Sequence, residues 1–428
     1  MARQMKDSGI KWISMIPQDW YICQFKNIVE EVVDNRGRTP TINEDGKGIP
    51  LLELDSIGGK YPRFEKVSKF IGEESYSKFI RKDLLPGDVL FGTVGSVGKC
   101  SIVPEGTHCC IAQNIVGYRF NDNQVQLFWF YYFQSEPFKQ MFMQFNKGNI
   151  QSSIKISDMA RGSICVPPKA EQERIAIFLE QQCDEIDAVI SKTKATIEEY
   201  KKLKQSVITE AVTKGIRGDR PMKDSGIEWI GNIPADWDIK VAFQLFKQVK
   251  NKNEGFIEQN LLSLSYGKIK RRNIDAVGGL LPESFDGYNI IEKDDIVLRL
   301  TDLQNDQTSL RVGLANERGI VTSAYLTLRN QSANTPLYLY YYLHSFDLCK
   351  GFYGMGAGVR QGLNWDGLKL LKFALPSVEE QMEITEYLEK KCSEIDALIE
   401  KKTALLAEME SYKKSVIYEY VTGKKEVQ

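Results

Sequence analysis

Met5 to Trp20 reads MKDSGIKWISMIPQDW, and Met222 to Trp237 reads MKDSGIEWIGNIPADW. Of these 16 positions 12 are identical, at an offset of 217. Further on, Glu171 to Ile190 and Glu380 to Ile399 share 11 of 20 positions, at an offset of 209. The chain of 428 residues is therefore one unit written twice, each copy with a short head, a long middle block and a tail. The two offsets make the second middle eight residues shorter. The middles share only a skeleton. Asp88-Val89-Leu90-Phe91 answers Asp295-Ile296-Val297-Leu298, and the aromatic run 128–133 answers 338–343. Gly148 and Gln151 answer Gly358 and Gln361. Elsewhere the same framework holds two different fillings.

The tails set the architecture. From about 170 to 213, and again from 377 to 422, there is no Gly or Pro. At about 1.5 Å per residue, some 40 residues of helix make a rod of roughly 60 Å. Apolar residues recur at heptad spacing. Leu179, Cys183, Ile186, Ile190 and Ile197 form one seam, and Leu388, Cys392, Ile395, Ile399 and Leu406 the other. Such seams predict helix against helix, and an antiparallel pair makes the two halves equivalent by a pseudo-twofold rotation. Gly215 to Pro221 ends the first helix and links the halves.

The middles predict mixed α/β structure. Strands are expected near 50–55, 88–92, 99–103 and 109–119, and near 260–266, 294–300, 310–314 and 320–328. Aromatic stretches at 125–145 and 336–353 predict helices that close one face of a sheet. The fold class is α+β: two tandem mixed α/β domains separated by two long helices that form an antiparallel coiled coil. The expected boundaries are 1–168, 169–216, 217–376 and 377–428.

Composition narrows the function. Hydrophobic residues at 42% exclude wholesale disorder. No run of about 18 apolar residues is present, so no membrane span is expected. The N-terminus has no apolar signal core, which argues for a cytoplasmic protein. The eight cysteines form no C-x-x-C pair and read as reduced, mostly buried small hydrophobes. His108-Cys109-Cys110 has no second ligand pair at zinc spacing, so no metal is expected. Lys+Arg 56 against Asp+Glu 57 leaves a net charge of −1, unlike a uniformly basic DNA-binding protein. Divided along the repeat, however, the tails sum to −5 and the middles to +4. That sign suits a scaffold that meets other subunits and two domains that meet a polyanion.

Motifs for catalysis are missing. Residues 92–100 (GTVGSVGKC) resemble a phosphate loop but carry Thr93 where a Gly is required and Cys100 after the lysine. They read as a glycine-rich hairpin, and a nucleotide-dependent enzyme is the weakest reading. The Asn/Asp-Pro-Pro-aromatic tetrapeptide of amino-methyltransferases is missing too, since Pro167-Pro168 lies between Val166 and Lys169.

The repeated head M-K-D-S-G-I-x-W-I-x-x-I-P-x-D-W is followed by a block that ends Pro-x-x-x-Glu-Gln and a long helix. Taken together, these features resemble the specificity subunit of type I restriction–modification systems, over nearly the whole chain. The resemblance implies two target-recognition domains, each reading one half of a bipartite, asymmetric site in double-stranded DNA. It implies no catalytic activity and no cofactor in this subunit. Its partners would be two modification subunits, adenine methyltransferases that use S-adenosylmethionine, and two restriction subunits, motor–nucleases that use ATP and Mg. The family has no universal base-contact motif. DNA contacts are therefore expected from polar and basic residues in the loops: Arg36, Arg38, Lys60, Lys99, Asn149, Gln151, Ser152 and Lys155 in the first block. In the second they are Lys268, Lys270, Arg271, Arg272, Arg311, Arg360, Gln361 and Asn364. The competing reading is a non-DNA coiled-coil scaffold that bridges two protein partners.

Overall fold

The computed structural model describes residues 3–94, 98–143, 155–274, 284–303, 310–355 and 362–427. The chain divides into two compact units, 1–194 with 404–428, and 195–403. Each unit is built from one head, one middle block, the start of its own tail helix and the end of the other. The tail helices run Lys169–Lys214 and Val378–Val421. Each begins in one unit and finishes in the other.

In each head a short antiparallel ladder forms, Met5–Asp7 with Met15–Pro17 and Met222–Asp224 with Asn232–Pro234. The intervening SGI turn is fixed by an aspartate. Asp7 accepts the Gly9 N–H, and Asp224 the Gly226 N–H, both at 2.9 Å. The ladder delivers Trp20 and Trp237 fully buried into their cores.

The common frame of the middles is a four-stranded antiparallel sheet. In the first unit its order is Val29–Val33, Ile115–Phe120, Val89–Gly92, Cys100–Ile102. In the second it is Phe246–Gln248, Leu326–Asn330, Ile296–Leu298, Val312–Leu314. The strand carrying the shared Asp88 or Asp295 motif is internal in both. Each carboxylate is buried, accepts a turn N–H at 2.8 Å and pairs with Arg119 or Arg329 on the neighbouring strand. A two-stranded ladder closes each block, Tyr21–Gln24 with Ser163–Val166 and Asp238–Val241 with Lys372–Leu375.

Aromatic helices cover the sheets. All of Phe128 to Phe133 are buried, as are Tyr338, Leu339, Tyr342 and Leu343. They are core, held by edge-to-face and stacked contacts such as Phe120–Trp129 at 5.4 Å and Tyr342–Phe373 at 4.6 Å. The single helix expected over 125–145 is two, Gln126–Gln134 and Glu136–Met143, with an extended Ser135 between them. Pro137 is the reason. Inside one continuous helix its ring would meet the carbonyl four residues back, but in a first turn it is tolerated.

Candidate nucleic-acid interface

The site begins with the device that holds each block on its helix. Trp20 Nε1 donates to Glu171 at 2.9 Å, and Arg3 pairs with the same carboxylate at 2.6 Å while lying over the indole. In the second unit Trp237 Nε1 donates to Glu380 at 3.3 Å, and Arg220 pairs with it above the indole. The adjacent glutamines reach into the middle blocks. Gln172 accepts the Val125 N–H at 2.9 Å and donates to the Pro167 carbonyl, and Gln381 does the same with Thr335 N–H and Pro376. The end of the other helix closes the arrangement. It stops at a left-handed glycine, Gly423 beside Trp20 or Gly215 beside Trp237, where a Cβ would collide with Pro17 or with Arg220. Neither Arg3 nor Arg220 was expected from sequence reasoning. The repeat offset of 217 that relates them was the available signal.

Along the helices the charges are paired. Within the first unit Lys413 meets Asp187 at 2.6 Å, Lys194 meets Glu410 at 3.5 Å, and Phe178 packs on Tyr420. Partner numbers fall as the first helix rises, so the segments run antiparallel. In the second unit Lys204 meets Asp396 at 2.6 Å. Leu179, Cys183, Ile186, Ile197, Leu388, Cys392 and Ile395 are buried, and Ile190, Ile399 and Leu406 are half-buried. Burial pushes the Cys183 thiol up to about 11, so it stays a protonated apolar group.

The blocks differ in what they build on the shared sheet. The first adds Ile49–Leu52, between Phe70–Ile71 and the parallel strand Cys110–Ile111. Its Lys60 reaches Glu180 on the tail helix. The second adds Asn289–Ile291 with Gly319–Val321, and a hairpin of Leu262–Ser265 with Lys268–Arg271. A cleft of about 690 Å³ opens in this unit between the hairpin tip, the aromatic helix and the tail helices. Glu389, the repeat counterpart of Glu180, lines it together with Lys201, Tyr266, Lys268, Tyr340 and His344. Burial, then Lys204, holds His344 down to about 4, so the imidazole is neutral.

The residues expected to meet DNA are scattered. Lys268, Lys270 and Arg272 are exposed together on the hairpin, while Arg271 pairs with Glu317. Arg36 is chelated by Asp34 at 3.0 Å, Arg38 is exposed and donates to the Lys78 carbonyl, and Lys99 donates to the Leu54 carbonyl at 3.1 Å. Lys155 is exposed ahead of the short helix Ile156–Arg161. Asn364 caps the helix Trp365–Leu368 with its side-chain oxygen. Asn149, Gln151, Ser152, Arg360 and Gln361 lie outside the described residues. Arg311 corrects the expectation. It is fully buried, and its guanidinium donates to the carbonyls of Arg299 at 3.0 Å and Thr301 at 2.9 Å beside the Tyr353 ring. It knots a turn under the sheet and presents nothing to a ligand. Sequence reasoning missed Tyr266, the hairpin apex, although LSLS-YG-KIKR carries strand alternation around a two-residue turn.

In each unit the α/β block is thus locked in the same way to the first turn of its tail helix, beneath an outer surface that differs between the two. The description "type I restriction modification DNA specificity domain" matches residues 17–199. Over nearly its whole length the chain is similar to type I restriction–modification specificity subunits. A putative type I restriction enzyme MjaX specificity subunit from Methanocaldococcus jannaschii is 26% identical over 434 residues, spanning 96% of this chain and 95% of that protein. The MjaVIII specificity subunit of the same organism is 23% identical, spanning 96% and 93%. Two solved structures share the fold at 15% identity. One comes from work on complex assembly and conformational transition of the type I R–M system, with TM-score 0.72, covering 96% of this chain and 99% of that one. The other is the HsdS subunit from Thermoanaerobacter tengcongensis, with TM-score 0.50, covering 96% and 98%.

Proposed function

We propose that each unit reads one half of a bipartite, asymmetric site in duplex DNA. The observation that carries this is one shared framework under two different surfaces: identical Trp–Glu–Arg locks, with a three-stranded addition on one block and a basic hairpin on the other. Different surfaces select different bases, so the halves of the site differ. In this reading residues 1–168 and 217–376 are the recognition blocks, 169–216 and 377–428 are the spacers, and helix length fixes the number of unread bases. The chain itself is non-catalytic and holds no cofactor. It binds two adenine-methyltransferase subunits that use S-adenosylmethionine, and two ATP- and Mg-dependent restriction subunits, in the cytoplasm where the chromosome lies. Burial raises the Cys110 and Cys165 thiols to about 12 and holds His344 neutral, so these three groups offer no activated nucleophile. Among the described residues no group of three His, Cys, Asp or Glu could hold a metal ion, and no helix is long and apolar enough to cross a membrane.

The test is to purify the chain with its methyltransferase subunits and map methylated adenines on genomic DNA. A single two-part motif with a fixed gap is the expected result. Methylation without such a motif sinks the reading.

A further inference from the structure

Tyr266 stands out on three independent grounds. It is 80% exposed, the largest exposure of any large hydrophobic side chain among the described residues. Its backbone is left-handed, at φ 50, a conformation disfavoured for a residue with a bulky side chain. And it forms the first half of the two-residue turn between Leu262–Ser265 and Lys268–Arg271, followed by Gly267 at φ 74. Both turn residues being left-handed, the hairpin keeps the twist of its strands. Asn, Asp or Gly is the ordinary occupant of Tyr266's position, because each tolerates that backbone. A tyrosine is held there against local preference, and its ring is given no packing in return.

The hairpin beneath it is stiff and polarised. Leu262, Leu264 and Ile269 face inward, and Leu264 and Ile269 rest on the backbone of Gly313, where a Cβ would strike both. The opposite face carries Ser263, Ser265, Lys268 and Lys270, paired across the ladder, with Arg272 bonded to the Ser263 hydroxyl at 3.0 Å. Neither Lys268 nor Lys270 has a carboxylate partner among the described residues. Open cleft, rather than packed protein, lies beside the tip. A two-stranded ribbon of this width fits the major groove, where lysines meet phosphates and base edges. An exposed aromatic ring at its apex offers its face for stacking on or between bases.

We propose that Tyr266 is a specificity-determining residue of the second unit: it inserts against a base step of duplex DNA, while Lys268, Lys270 and Arg272 hold the flanking backbone. This rests on the reading of the chain as a DNA-specificity subunit. Specificity at that step then comes from how easily the step unstacks, so flexible pyrimidine–purine steps are favoured. The first unit has no equivalent hairpin among its described residues.

The experiment uses the full chain assembled with its methyltransferase subunits, on duplexes carrying 2-aminopurine at successive positions of the second half-site. The native complex is expected to raise the fluorescence at one step. Tyr266→Asn removes that signal and weakens specific binding about ten- to a hundredfold, yet melts no lower than the native protein, because Asn accepts the left-handed backbone. Tyr266→Trp keeps the signal. Lys270→Gln weakens binding to every sequence alike and reduces the salt slope by about one. If Tyr266→Asn binds and unstacks DNA as the native complex does, the proposal is overturned while the DNA-specificity reading stands. A native complex that shows no sequence preference overturns that reading, and the role of Tyr266 with it.

Discussion

The two units share their lock and differ in their aperture. In both, a buried indole, an arginine above it and a glutamate in the first turn of a long helix form one knot. Beyond the knot, Lys60 of the first unit reaches across to Glu180, whereas the counterpart carboxylate of the second, Glu389, faces an open cleft. The contrast separates what a recognition block must do from what it is free to vary. Docking onto the helix is done once and copied. The surface beyond it is built twice, differently.

Exchanging blocks breaks the comparison most severely. Replacing residues 222–376 with a second copy of 5–167 retains both locks, so the chimera should fold and assemble. Methylation mapping should then find the same bases in both halves of the site, and an unchanged asymmetric site would refute the division of labour. Next in size, Trp20→Ala and Trp237→Ala should each cost about 3–5 kcal/mol, read as lost hydrogen-exchange protection concentrated in the unit that carries the change. Equal loss in both units would show that the knots are not separate.

Acid should distinguish the units more gently. His344 titrates at about 4 in the fold and at 6.5 in the unfolded chain. The unfolded chain therefore takes up a proton first as pH falls from 6.5 towards 4. Stability contributed by the neutral imidazole is complete above that window and is lost through it, up to about 3 kcal/mol. His344 packs on Tyr340, and Lys204, Lys201, Glu389 and Asp396 line the same cleft. Denaturant melts at pH 7 and pH 4.5 should show the second unit losing more than the first, and His344→Phe should erase the difference. The smallest effect belongs to Lys60→Gln. Both partners of its ion pair are about a third exposed, so the loss should stay below about 1 kcal/mol. A larger loss would mean that the closed aperture of the first unit is a structural necessity and not a variation.

What the sequence revealed, it revealed through repetition and period. The heads, the tails and the strands around Asp88 and Asp295 follow from offsets and alternation, because a copied lock is copied letter by letter. The break at Ser135 was legible in principle from Pro137, but a continuous aromatic run masks it. The fate of Arg311 was not legible. Its acceptors are the carbonyls of Arg299 and Thr301, and no side-chain pattern announces a carbonyl. Tyr266 was overlooked for the opposite reason: attention to charge selects the lysines after the turn and passes over the ring at its tip.

Each unit is completed by a helix end that belongs, in chain order, to the other copy: Gly423 closes on Trp20, and Gly215 on Trp237. In assembly terms this is a reciprocal exchange made permanent by a linker. A half-length chain with one head, one block and one tail would both lack a closing helix and possess one to give. Two such chains would satisfy each other by exchanging those ends as a domain-swapped homodimer, and in the present molecule a single polypeptide supplies both halves of the exchange.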